Sequence, residues 1–365
     1  MSGKRKFRIV VLPGDGIGPE VVSSALLVCN LVAGKLKIVI ESKEMKVGGI
    51  SIDETGQPIT EEVLKEAKKA NAVLLGAVGG PKWEKLEHSK KPEQGLLALR
   101  KGLKLFANLR PVKAVESLIN SSSIKPEVVR NTDLVVVREL TGGIYFGKPR
   151  GIKKCAGGMK GVNTEVYTEG EIERIARVAF DIAMKRRKKV TSVDKANVLE
   201  SSQLWRDVVN RVHKDFPDIE VNHMYVDNCA MQLIRHPGQF DVILTNNLFG
   251  DILSDEAAML SGSIGMLPSA SIGNRNGLYE PIHGSAPDIA GRDIANPLAT
   301  ILSVAMMFRY SLNRPDGADA IEKAVANVLE KGYRTSDIAM DGTKNVGTRE
   351  MAEAVMAELN SLVSP

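Results

Sequence analysis

The 365 residues hold only three cysteines, Cys29, Cys155 and Cys229, spaced too widely for a disulfide framework or a thiolate zinc site. A reducing compartment is therefore expected. No run of eighteen apolar residues occurs, so no bilayer-spanning helix is expected. The opening segment Met1 to Phe7 is basic but lacks an apolar signal core and passes straight into a strand-like RIVVL, which makes the cytoplasm the expected address, with a processed organellar form left open. Aromatic residues make up only 4% of the chain, and none interrupts the basic run KRRKK at 185–189. Without stacking residues that run reads as cations meeting a helix C-terminus and solvent rather than as a nucleic-acid site. No internal repeat and no low-complexity linker divides the chain, which excludes solenoids and a simple string of beads.

The remaining composition is that of an ordinary globular enzyme-sized protein, with 43% hydrophobic and 25% charged residues and a formal charge of +5. The length suggests two domains or one large one. Short β-branched runs at 7–12, 73–78, 134–137, 190–193 and 241–244 alternate with amphipathic patterns. Helices are predicted at 19–33, 61–69, 169–185, 201–216, 248–260, 297–312, 318–331 and 348–359. That alternation predicts an α/β protein with a largely parallel sheet.

Several segments carry candidate chemistry. The turn Pro13-Gly14-Asp15-Gly16-Ile17-Gly18-Pro19 follows the first strand, but counting from Gly14 the sixth position of GxGxxG is Pro19, so the dinucleotide fingerprint fails. The turn is then either a phosphate-facing loop or only a tight connection. Asp251 and Asp255 lie four apart on a predicted helix just after a strand, which places both carboxylates on one helix face. Such a pair suits a hard cation such as Mg²⁺ or Mn²⁺, and Asp227 is a third carboxylate able to join it; the alternative is a pair of helix-favouring acids in solvent. Arg100, Arg110 and Arg138 are guanidinium forks which, if they converge, imply an anionic and dicarboxylic substrate. Lys195, directly after a strand, becomes a general base if metal and arginine charges disfavour its ammonium form; otherwise it is an ordinary exposed lysine. His283, in a compact HGSAPD turn, can stack on or hydrogen-bond a nucleotide base, or be structural.

Taken together, LPGDGIGPEV, KPEQGLLALRKGLKLFANLRP, ELTGGIYFGKPRG, SVDKANVLESS, NNLFGDILSDEAAML, GMLPSASIG and HGSAPDIAG resemble the β-decarboxylating dehydrogenases, the isocitrate and isopropylmalate dehydrogenase family, over nearly the whole chain. The resemblance implies a bilobed α/β fold of isopropylmalate dehydrogenase type, not a Rossmann fold. It implies a cofactor-binding domain from 1–105 and 262–365, and a substrate, metal and dimerisation domain from 106–261. The active site would lie in the cleft between them, shared by two subunits of a homodimer. Asp251 and Asp255, with Asp227 of the partner subunit, would hold Mg²⁺ or Mn²⁺. Arg100, Arg110 and Arg138 would grip the malate carboxylates, Lys195 of the partner subunit would be the base, and Tyr145 the acid. The resemblance also implies cofactor contacts from His283, Gly284, Ser285, Ala286 and Asn296, and places Asp288 and Ile289 where NADP-using relatives resemble a Lys-Tyr pair, so NAD is favoured. Leu96 and Leu97 would form an apolar wall suited to an isopropyl group, or are simply core leucines. The implied reaction is NAD-dependent oxidative decarboxylation of 3-isopropylmalate in leucine biosynthesis, with D-malate or tartrate oxidation as the alternative within the family. A nicotinamide-free metal lyase or hydrolase, or a non-catalytic binding protein, are the readings outside it.

Overall fold

A computed structural model describes residues 5–362; Met1 to Lys4, the first part of the basic opening segment, lie outside the described residues. The strands with the most continuous apolar sequence are the most buried. Every residue of Ala72–Ala77 and of Val242–Thr245 is buried, as expected of strands covered on both faces. Val39–Glu44 (VIESKE) and Glu220–Tyr225 (EVNHMY) alternate or cluster polar residues, and each pairs on one side only.

The chain divides into two units. Of the described residues, the first takes 5–105, 115–122 and 261–362. Its strands run in the order Val39–Glu44, Lys6–Gly14, Ala72–Ala77, Gly277–Pro281 and Pro268–Ile272, the last two joined antiparallel and the other neighbours parallel. Val10, Leu12, Val73 and Leu75 project from one face onto Val63, Ala67 and Leu99 of the helices Glu61–Lys69 and Glu93–Gly102, and onto Leu103 just after the second. The opposite face is covered by Gly18–Lys35 and Leu298–Tyr310, which pack on one another and on the last two helices, Pro315–Glu330 and Thr348–Leu362.

The second unit takes residues 106–114 and 123–260. Its strands run Ala107–Lys113, Asp133–Glu139, Val242–Thr245, Lys189–Asp194 and Glu220–Tyr225, with one antiparallel pair at the start and parallel pairing thereafter. Glu169–Met184 opens on a capping box in which Thr168 Oγ1 accepts from the Glu171 backbone N–H and the Glu171 carboxylate accepts from the Thr168 N–H.

Segment 115–122 falls inside the 106–261 span expected for one domain, yet it clusters with the first unit. The cause is local bonding: Arg334 Nη2 donates to the Ser117 carbonyl at 2.7 Å, and Gly262 approaches Ser121 closely enough that a Cβ there would lie 3.1 Å from its Cβ. Four residues of the basic run have partners within the chain. Arg186 bonds Asp133 and Asp241, Arg187 bonds the Phe240 carbonyl, and Lys188 and Lys189 pair with Asp218 and Glu220. Among the described residues no helix is long and apolar enough to cross a membrane. All three thiols are free, and burial pushes those of Cys29 and Cys229 up to about 12.

Candidate active site

In the second unit, the strand Val242–Thr245 delivers the chain to Asn246, whose side-chain oxygen accepts from the Phe249 N–H at 2.8 Å and caps the helix Asn247–Ala258. Asp251 and Asp255 stand one turn apart on that helix, with the side chain of Asp255 65% exposed and that of Asp251 33%. Two arginines reach them from the antiparallel strands Ala107–Lys113 and Asp133–Glu139. Arg110 donates from Nη1 to Asp255 Oδ1 at 2.6 Å and to Ser254 Oγ at 2.7 Å, while its Nε is held by Asn108 Oδ1 at 3.0 Å. Arg138 donates from Nη1 to Asp251 Oδ1, and Asn247 Oδ1 accepts from its other edge. Gly250 makes that approach possible, since a Cβ there would sit 2.6 Å from Arg138 Cγ.

Tyr145 completes the cluster. Its hydroxyl donates to Asp251 Oδ2 at 2.8 Å, and the Arg138 guanidinium lies 5.8 Å from its ring centre. Partial burial, followed by the hydrogen bond and charge of Asp251, raises its pKa above the ordinary phenol value, with Arg138 opposing. The phenol is thus kept protonated. Five of the residues singled out from the sequence, Arg110, Arg138, Tyr145, Asp251 and Asp255, therefore converge. Asn108, Asn247 and Ser254 carry no sequence signal of their own, because each is recognised only by its bond to an arginine, in two cases more than a hundred residues away.

Lys195 and Asp227 form a separate pair, Nζ to Oδ1 at 2.7 Å, and this bond holds Asp227 below the usual carboxylate range. Among the described residues no three His, Cys, Asp or Glu side chains gather into a metal-ligating group, so within one chain Asp227 does not join Asp251 and Asp255. Nor does Lys195 stand among the arginines: its charged neighbour here is a carboxylate, with Tyr225 packed beside it.

In the first unit, Arg100 lies on Glu93–Gly102 and bonds the buried Glu280 at 2.9 Å, while its Nε is buried without a partner. The two leucines of that helix divide between the sequence alternatives. Leu96 packs against the core and Leu97 is 37% exposed. The glycine turn at 13–18 closes on backbone: Gly16, at φ +59°, lies where a Cβ would be 1.9 Å from the Ser285 carbonyl, which accepts from the Ile17 N–H at 2.8 Å. Between those glycines, Asp15 accepts from the backbone N–H groups of Gly49, Ile50 and Gly79. The turn is thus a packed connection that carries the 283–296 segment beside it.

That segment holds the residues expected to contact a nucleotide. His283 Nδ1 lies 3.0 Å from the Gly284 carbonyl, its Nε2 is buried with no partner, and burial lowers its pKa, so the ring is neutral near pH 7. Asn296 donates to Asp337 Oδ2 at 3.0 Å, an acid absent from the sequence reading because it lies forty-one residues further on. Ala286 and Ile289 pack on Ile17, Val21 and Ala295, Ser285 is buried, and Gly284 and Asp288 are exposed.

Residues 8–355 match the sequence model of the isocitrate/isopropylmalate dehydrogenases. A 3-isopropylmalate dehydrogenase from Aquifex aeolicus is 56% identical over 98% of this chain and 98% of its own. One from Synechocystis is 58% identical over 98% and 99%. Among solved structures, an isocitrate dehydrogenase from Methylococcus capsulatus superposes with a TM-score of 0.85 at 36% identity, covering 97% of this chain and 99% of its own. A β-decarboxylating dehydrogenase from Thermococcus kodakarensis gives 0.81 at 36% identity, covering 98% and 97%.

Proposed function

Because the chain belongs to the isocitrate/isopropylmalate dehydrogenase family, we propose that it oxidises and decarboxylates 3-isopropylmalate to 4-methyl-2-oxopentanoate and CO₂ with NAD, in leucine biosynthesis, acting as a cytoplasmic homodimer. The observation that carries the reading is the convergence of Arg110, Arg138, Tyr145, Asp251 and Asp255, a set that offers two guanidinium forks, a protonated phenol and two carboxylates in one place. Relatives that act on isopropylmalate are more than half identical to this chain, whereas the isocitrate enzyme compared is 36% identical.

The donor set suits a hard divalent cation. Asp251 and Asp255 present carboxylate oxygens one helical turn apart, no thiolate or imidazole competes, and the arginines that bond them now supply the positive charge a cation would bring. Asp251 and Asp255, with Asp227 of the partner subunit, would hold Mg²⁺ or Mn²⁺. When bound, that cation supplies positive charge beside the substrate's hydroxyl oxygen, and NAD supplies the hydride acceptor. Arg110 and Arg138 grip the substrate carboxylates, and Arg100 is assigned the same role. Lys195 of the partner subunit removes the hydroxyl proton as hydride leaves carbon, and the β-keto acid so formed loses CO₂ readily. Tyr145 then delivers its proton to the carbon left behind.

For the dinucleotide, the buried and unpartnered Nε2 of His283 supports an adenosine contact, with Gly284, Ser285, Ala286 and Asn296 around it. The exposed Asp288, next to Ile289, would accept from a ribose diol and repel a 2′-phosphate. Leu96 and Leu97 would line the isopropyl side. The test is NAD(P)H formation with 3-isopropylmalate, D-malate, tartrate and isocitrate, each with Mg²⁺ and each with both dinucleotides. The expected result is the highest kcat/KM for 3-isopropylmalate with NAD. Equal or better turnover of D-malate or tartrate assigns the alternative substrate instead.

A further inference from the structure

The strongest unassigned feature is a buried amide at the centre of the cluster. Asn247 is 1% exposed, and each polar group of its side chain has a partner. Its Oδ1 accepts from Arg138 Nη2 at 2.7 Å and Nε at 3.2 Å; its Nδ2 donates to the Gly142 carbonyl at 3.2 Å. Its backbone N–H donates to the hydroxyl of the buried Tyr167 at 2.9 Å. The amide can face only one way, because a reversed side chain would set its NH₂ against a guanidinium and its oxygen against a carbonyl.

Two groups that meet on Asp251 depend on this one residue. By occupying the Nε–Nη2 edge of Arg138, Asn247 leaves Nη1 as the donor that reaches Asp251. By holding the Gly142 carbonyl, it anchors the turn whose third residue onward is Tyr145, the other donor to Asp251. The turn has little freedom to relax: Gly143 sits at φ +75°, with the Tyr167 hydroxyl 2.5 Å from where a Cβ would lie. The chemical identity of the partner matters as well. A carboxylate in this place would satisfy the same guanidinium edge but would neutralise its charge inside the protein, where charges interact strongly. An amide orients the fork and leaves its charge for the ligand.

We infer that Asn247 is a positioning residue that orients Arg138 and the Tyr145 turn while leaving the guanidinium charge available, and so sets the affinity for the hydroxy acid. The inference deepens the function proposed above and rests on it. The test compares the wild type with Asn247→Asp and Asn247→Leu, reading kcat, KM for 3-isopropylmalate, KM for NAD and Tm. Asn247→Asp keeps the shape and the acceptor toward Arg138 but sets a carboxylate oxygen against the Gly142 carbonyl. It is expected to raise KM for the hydroxy acid roughly tenfold to a hundredfold, the scale of a hydrogen bond to a charged group, with KM for NAD little changed and Tm lowered. Asn247→Leu, which loses both ends of the amide, is expected to lower kcat as well; should it fail to fold, the aspartate variant decides alone. An Asn247→Asp enzyme with wild-type KM for the hydroxy acid, or one whose only change is a lower Tm, overturns the inference. A wild type that does not oxidise 3-isopropylmalate overturns the proposed function instead, and the same KM comparison is then made on the hydroxy acid of the panel that it does oxidise.

Discussion

In the mechanism proposed above, Tyr145 and Lys195 handle protons in opposite senses, and their surroundings differ accordingly. Tyr145 donates to a carboxylate that keeps it protonated, whereas Lys195 is bonded to Asp227, so its ammonium is paired until that carboxylate is drawn elsewhere. Lys195→Met and Tyr145→Phe are each expected to lower kcat by roughly 10², the scale of a positioned acid or base. The tyrosine change falls on the later step, so quenched reactions of Tyr145→Phe should contain more β-keto acid than those of the wild type; unchanged product composition would remove Tyr145 from the acid role. At this scale the sequence was informative where spacing alone fixes geometry. Asp251 and Asp255, four apart on one helix, needed nothing else. Asn247 and Ser254 lie in the same segment and were silent, because what marks them is a remote arginine rather than their spacing. Leu96 and Leu97 illustrate the limit from the other side: adjacent leucines on a helix with one core-facing stripe take different surroundings, and no local pattern says which faces a ligand.

Helices with one buried face were legible, whereas exposed or very short strands were not. The helix predicted at 61–69 is found at Glu61–Lys69, and that predicted at 169–185 at Glu169–Met184, where Thr168 and Glu171 give the start. The hairpin of Gly151–Cys155 and Gly158–Val162 went unnoticed because nine of its ten strand residues are exposed and no apolar alternation records it. Pro268–Ile272 and Gly277–Pro281 are only five residues each, and their antiparallel pairing runs against the parallel rhythm of the rest. Packing between elements also makes stability depend on pH. Glu358, on the last helix, accepts from Lys331 and from Asn327 Nδ2 of the preceding helix, chiefly through the lysine, and its pKa lies below the ordinary value. A depressed folded pKa means stability that is fully present above the unfolded value, about 4.3 for glutamate, and is lost as pH falls through the folded one. Thermal melts of Glu358→Gln should therefore lose Tm less steeply than those of the wild type between roughly pH 5 and pH 3. Parallel slopes would mean that this contact does not carry acid sensitivity.

At the scale of the whole molecule, the first unit is assembled from both ends of the chain, and segment 115–122 returns to it through the Arg334–Ser117 bond. Sequence windows see only neighbours along the chain, so periodicity carries no sign of so discontinuous a unit. The arrangement of charged groups raises a question no single chain answers. Asp227 is paired with Lys195, while Asp251 and Asp255 are paired with arginines, and among the described residues no three acids gather into a metal-holding group. If the site is shared between subunits, Lys195 of one chain serves the aspartates of the other, and damage to either can be complemented. Lys195→Met and Asp251→Asn are each expected to be nearly inactive alone. Mixed in equal amounts and allowed to exchange subunits, half the dimers are heterodimers, and each of these has one site with both residues intact and one with neither. Activity should then recover to about a quarter of the wild type. If Lys195 instead serves the aspartates of its own chain, every site in the heterodimer lacks one group, and mixing restores nothing. The assay thus reads directly which chain supplies the base.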